Sequence, residues 1–70
     1  MFNRSTPALI HRKVLINLLS GNALAGVVTF EGRHALVLRG ATVHTTDSDP
    51  APADGEVLIY RASIDFIQML

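Results

Sequence analysis

Between Lys13 and Leu38 the chain is written as short apolar runs separated by glycine-containing turns, and the same signature returns from Glu56 to Leu70. In Lys13–Leu19, Val14, Ile16 and Leu18 share one face, and Leu15, Asn17 and Leu19 share the other. Both faces are largely apolar, so both need cover. Ser20-Gly21-Asn22 is a turn cluster. Ala23–Phe30 reads as a second strand, interrupted by Gly26, and a glycine inside a strand marks a bulge or a tight barrel bend. Glu31-Gly32-Arg33 makes the next turn, and His34–Arg39 is a third strand that Gly40 bends and Ala41–His44 continues. Glu56–Tyr60 is a fourth strand, Arg61-Ala62-Ser63 a minimal connection, and Ile64–Leu70 a fifth. Strands this short, closed by glycine turns, predict a small closed or nearly closed β-barrel.

Two segments stand outside this pattern. Residues 1–5 form a polar N-terminal arm carrying Phe2, and Thr6-Pro7 is a helix start, with threonine as cap and proline at the first helical position. A short helix is therefore expected over Pro7–His11, with Leu9 and Ile10 packed on the barrel mouth. Thr45–Gly55 carries two prolines and a closing Asp-Gly, and is expected to be an irregular polar loop. The expected fold class is mainly β: a short N-terminal helix followed by a five-stranded, strongly bent small barrel, with the arm over 1–5, a single domain over 6–70 and the polar loop over 45–55.

At 70 residues and 49% hydrophobic, the chain has more apolar surface than one small core hides. A domain of this size buries only roughly 60% of its unfolded surface, and such domains add disulfides, metal or oligomerisation. There is no cysteine, and His11, His34 and His44 lie far apart without ligand-like spacing, so no cofactor or metal is expected. Oligomerisation remains. The last strand alternates Ile64, Phe66, Gln68 and Leu70 against Asp65, Ile67 and Met69, and must pair with something or remain an aggregation-prone edge. The expected subunit seam is Glu56, Val57, Leu58, Ile59 and Tyr60 against Ile64, Asp65, Phe66, Ile67, Gln68, Met69 and Leu70. Phe2, Arg4, Leu9 and Ile10 are the candidates for docking a larger partner, an aromatic on an arm being a common interface anchor.

Net charge is zero but unevenly spread: residues 1–40 hold five cations against Glu31, a net +4, and residues 41–70 hold Arg61 against five acids, a net −4. A dedicated nucleic-acid binder carries a basic excess or stripe. No run reaches the roughly 20 apolar residues of a membrane helix, and Asn17, Ser20, Gly21 and Asn22 interrupt the stretch after Arg12-Lys13 that imitates a signal peptide. An intracellular product with no membrane partner is expected.

Val14-Leu15-Ile16-Asn17-Leu18-Leu19-Ser20-Gly21, the Gly21–Gly26 spacing, Phe30-Glu31 and Leu36-Val37-Leu38 resemble the first motif and third strand of the Sm-like small barrels. Ile59-Tyr60-Arg61-Ala62-Ser63-Ile64 resembles their second motif, nearest the Hfq form. The resemblance implies a homo-oligomeric ring of six or seven subunits in which the fifth strand of one copy pairs with the fourth of the next. It also implies pockets for single-stranded RNA, with Glu31, Arg33, His34, Tyr60 and Arg61 as the candidate binding residues. The reading groups are mostly absent: the turn is about one residue shorter, Ala35 falls where the family has asparagine, and Ala62 where the Hfq form has histidine. Alanine cannot hydrogen-bond a base. Arg61 matches the basic position, or Tyr60 does in an alternative alignment, and Arg61 is open to either a phosphate or an ion pair with Asp65 or Glu56 of a neighbour.

His11-Arg12-Lys13-Val14, Leu38-Arg39-Gly40-Ala41 and Asp54-Gly55-Glu56-Val57 are similar to short Sm-like reading frames among the virion-structure genes of tailed phages of actinobacteria. That likeness implies a virion component of the capsid or head-to-tail region, assembled in the host cytoplasm and bound to a larger virion protein; the alternative location is cytoplasmic. No catalytic set accompanies it. Ser20-Gly21 lacks the Gly-x-Ser-x-Gly context, Asp47-Ser48-Asp49 lacks the glycine and distal glutamate of a calcium loop, and no Lys-Ser/Thr follows Gly26. The sequence thus points to a non-enzymatic structural or assembly ring, with a single-stranded RNA-binding ring as the alternative.

Overall fold

Five strands form one antiparallel sheet in the computed structural model, which describes residues 8–70. They are β1 (Lys13–Leu18), β2 (Ala23–Glu31), β3 (Ala35–Thr45), β4 (Ser48–Tyr60) and β5 (Ile64–Met69), in the spatial order β4-β3-β2-β1-β5. The β1–β2 turn is closed by Leu18 N–H donating to Asn22 O at 2.9 Å and Gly21 N–H to Leu18 O at 2.9 Å. Gly21 has φ +99°, which an L side chain rarely adopts.

A single sheet buries side chains completely only if it curls on itself. Val14, Ile16, Val28, Leu36 and Leu38 are all 0% exposed, so this sheet is strongly curled around their shared face. Leu24, Ala41 and Ile59 complete that cluster. The curl is set where β2 crosses the bend of β3. The β2–β3 register shifts between Ala25 and Val27, and Gly40 on β3 has φ +59°. A Cβ at Gly26 would lie 3.1 Å from Arg39 O and 3.2 Å from Ala41 Cα, so only glycine lets the two backbones approach this closely.

Two expectations are corrected. The described residues contain no α-helix. Of the expected helix Pro7–His11, Pro7 lies outside the described residues, and Ala8–His11 form bends and a turn. Arg12 N–H donates to Leu9 O at 2.9 Å, His11 takes a left-handed φ of 63°, and His11 N–H then donates to Val28 O at 2.7 Å. One turn is too short to be stable as a helix, and pairing with β2 draws the chain into the lead of β1. A single 3-10 turn, Arg61–Ser63, joins β4 to β5.

Nor is Thr45–Gly55 a loop. Strand β3 runs to Thr45 and β4 starts at Ser48, leaving Thr46-Asp47 as a two-residue hairpin turn. Pairs Val43↔Ala51, Thr42↔Pro52 and Ala41↔Ala53 continue the ladder through the prolines. Prolines break central strands, but β4 is an edge strand, where a ring nitrogen can face away from the ladder. Asp54-Gly55 is not a closing turn either. The β3–β4 register shifts between Arg39 and Ala41 opposite it, and Gly55 has φ +74°, so it is a bulge within β4.

Candidate functional site: the two open edges of the sheet

The strand order leaves one free edge on β4 and one on β5. In an antiparallel strand successive N–H groups point alternately to either side. Leu70 N–H donates to Lys13 O at 3.0 Å, which fixes the phase of β5: Phe66 and Gln68 share that direction, and Ile67 and Met69 present their N–H groups to the open side. Arg61 N–H donates to His34 O at 2.8 Å and fixes the phase of β4. Val57 and Ile59 therefore bond toward β3, while Glu56, Leu58 and Tyr60 face outward.

Several large apolar side chains along these edges are uncovered. Eight large apolar side chains are exposed among the described residues, and five of them, Leu58, Tyr60, Phe66, Met69 and Leu70, lie on β4, on β5 or directly after β5. Of the remaining expected seam residues, Val57, Ile64 and Ile67 are half-buried against the core, Glu56, Asp65 and Gln68 are exposed, and Ile59 is buried. Ile59 therefore belongs to its own subunit's core. Asn17 Nδ2 donates to Gln68 Oε1 in a long bond of 3.4 Å across β1 and β5.

The residues expected to read RNA divide into two groups. Glu31 and Arg61 are brought together: Arg61 Nη2 lies 3.5 Å from Glu31 Oε2, and Arg61 Nε donates to Gly32 O at 2.9 Å. Glu31 Oε1 in turn accepts the Leu9 N–H at 2.9 Å. Arg61 is thus paired with a carboxylate of its own chain, 30 residues earlier in sequence. The cluster ties the N-terminal turn, the β2–β3 turn and the 3-10 turn to one another. Arg33, His34 and Tyr60 are exposed around it.

Leu9 and Ile10, expected to dock a partner, are half-buried against their own core; Phe2 and Arg4 lie outside the described residues. The sequence places Phe30 in a motif but gives no sign of its exposure: it is 55% exposed beyond a register shift between Val28 and Phe30. The shift turns it off the buried face, and nothing in the alternation of β2 signals that. No group of three His, Cys, Asp or Glu able to hold a metal ion occurs among the described residues, and no helix there is long and apolar enough to cross a membrane.

No family model matches the chain, and no curated protein matches it in sequence. Solved structures do match. A chain in the crystal structure of the NatC complex bound to CoA is similar over 97% of this chain and 87% of its own length, with a TM-score of 0.78 and 19% sequence identity. At that identity the likeness establishes the fold alone: a small, β-rich domain of five antiparallel strands.

Proposed function

We propose that this chain is a non-enzymatic assembly module of the Sm-like kind, which joins copies head to tail by laying β5 of one subunit along β4 of the next. The observation that carries the reading is that, among the described residues, the two free edges of the sheet are also where most of the exposed large apolar side chains gather. Such edges are aggregation-prone unless paired, and each here offers the other a complementary row. The outward N–H and C=O groups of Leu58 and Tyr60 on one edge and of Ile67 and Met69 on the other can pair donor to acceptor, and exposed apolar side chains flank both. A contact between two different surfaces is heterologous, and repeats until it closes into a ring. Six or seven copies is the ring size the Sm-like resemblance implies. The setting we favour is a tailed-phage particle, with a larger virion protein as docking partner, on the likeness of His11–Val14, Leu38–Ala41 and Asp54–Val57 to virion-structure reading frames. The similar solved structure is of a complex, in keeping with a fold used as a component of larger assemblies.

The second reading is a ring that binds single-stranded RNA. Clustering of Glu31 and Arg61 favours it, but Arg61 is already engaged by Gly32 O and Glu31, and Ala35 offers no base-reading group. Native mass measurement of the purified protein, across a dilution series and with or without nuclease, separates the readings. A single multi-copy mass indifferent to nuclease is expected. A mass that falls with nuclease selects the RNA ring, and a monomer at every concentration overturns both.

A further inference from the structure

We infer that Pro50 and Pro52 seal the outer edge of the far half of β4 against strand addition, and so confine the β5 of a second copy to the segment Glu56–Tyr60. The choice of occupant rests on the self-assembly reading above; the sealing of the edge does not.

The problem the prolines solve is one of register. Strand β4 has 13 residues and β5 has 6, so an open edge along all of β4 would offer an incoming β5 several places to lie. Copies joined in mixed registers do not close a ring; they form open chains and aggregates. The pair Thr42↔Pro52 sits between Ala41↔Ala53 and Val43↔Ala51. Hydrogen-bonded and non-bonded pairs alternate in an antiparallel ladder, and a proline fits only at the non-bonded kind. The Pro52 ring nitrogen therefore faces the open edge, at a position where β4 would offer an N–H group to a new strand. Pro50 lies within the register shift between Val43 and Thr45, where the ladder is already irregular, and it too has no N–H to offer. Both residues are exposed.

The near half differs in every respect that matters to an incoming strand. Glu56, Leu58 and Tyr60 present real donors outward, and Leu58 and Tyr60 are 53% and 64% exposed. In the far half the flanking residues are Ala51 and Ala53, too small to offer an apolar grip. The bulge at Gly55 lies between the two halves and interrupts the edge there, and bulges are a further device that edges use against pairing.

The test replaces both prolines with threonine, P50T/P52T, which restores the N–H groups and keeps a residue that favours strands. Native mass spectrometry and sedimentation are run on the wild-type chain and the variant at equal concentration, with far-UV circular dichroism to check the fold. The wild-type chain is expected to give one discrete mass. The variant is expected to lose that single mass in favour of a broad set of larger species and sedimenting material. A folded variant with the wild-type mass distribution overturns the inference. If the wild-type chain is monomeric, the self-assembly reading fails, but the sealed edge still stands or falls on whether the variant associates. Should the variant not fold, hydrogen exchange on the wild-type chain decides. Assembly is expected to protect the amides of Leu58 and Tyr60 and leave residues 48–54 unchanged, and protection reaching the hairpin tip overturns the inference.

Discussion

Leu58→Pro isolates the seam from the fold. The Leu58 N–H faces away from β3, so the substitution removes no bond of the β3–β4 ladder, and the side chain it replaces is already 53% exposed. Pro52 occupies the same kind of position in the same strand, so the backbone of β4 tolerates the ring. In the assembled state the loss is larger. One main-chain donor disappears, a net loss of about 0.5–1.5 kcal/mol, and the facing carbonyl of β5 is left unpaired inside the seam at a further ~1–3 kcal/mol. Together these weaken each contact by about 1.5–4.5 kcal/mol, roughly 10- to 2,000-fold in its association constant. In the proposed ring every seam would carry the same lesion, so the variant should dissociate at concentrations where the wild-type chain is expected to be assembled. Leu58→Thr is the control, since it shortens the side chain but keeps the N–H. The assay is the dilution midpoint of assembly, with circular dichroism confirming that the subunit fold is retained. Equal midpoints for the proline and threonine variants would refute the assignment of β4 as a hydrogen-bonded seam.

Gly26→Ala places a methyl 3.1 Å from Arg39 O and 3.2 Å from Ala41 Cα, both backbone atoms, and should destabilise the subunit by about 1–3 kcal/mol through overpacking; an unchanged thermal midpoint would mean that the two strands part without strain. Glu31→Ala removes the acceptor of the Leu9 N–H and should cost about 1 kcal/mol and speed exchange of that amide, whereas the ion pair with Arg61 adds little because the arginine side chain is 39% exposed. Unaltered exchange at Leu9 would show that this carboxylate does not hold the N-terminal turn.

The strands were legible because the alternation that forms them is written residue by residue. Val14 and Ile16 on one face of β1 became core, and Gly26 marked the bend that lets β2 and β3 touch. What misled was punctuation. Proline and Asp-Gly carry two meanings: they end a central strand, but they are compatible with an edge strand and with a bulge. Which applies depends on whether a neighbour exists on the far side, a tertiary fact absent from Thr45–Gly55 itself. The Thr6-Pro7 start was read as a helix for a similar reason: the cap signal is local, but His11 is held by Val28 O in β2, 17 positions away. The Glu31–Arg61 contact spans 30 residues and left no trace in spacing. The exposed apolar side chains of β5, by contrast, were visible in its alternation, in which Phe66 and Leu70 share a face.

The distribution of the core gives a further reason for β5 to seek a neighbour. Its eight buried residues come from β1 (Val14, Ile16), β2 (Leu24, Val28), β3 (Leu36, Leu38, Ala41) and β4 (Ile59), and none comes from β5. Strand β5 is therefore held chiefly by one ladder with β1 and by the half-buried Ile64 and Ile67. A segment with few buried apolar contacts opens at a lower free energy than the fold as a whole. In diluted, monomeric protein the amides that Phe66 and Gln68 direct at β1 should then exchange faster than those of β2 and β3. The proposed assembly would supply β5 with a second ladder and cover Phe66 and Met69, so on assembly the same amides should slow toward the core rates. If β5 exchanges as slowly as β2 in the monomer, the strand is secure without a partner, and the physical reason for the seam is gone.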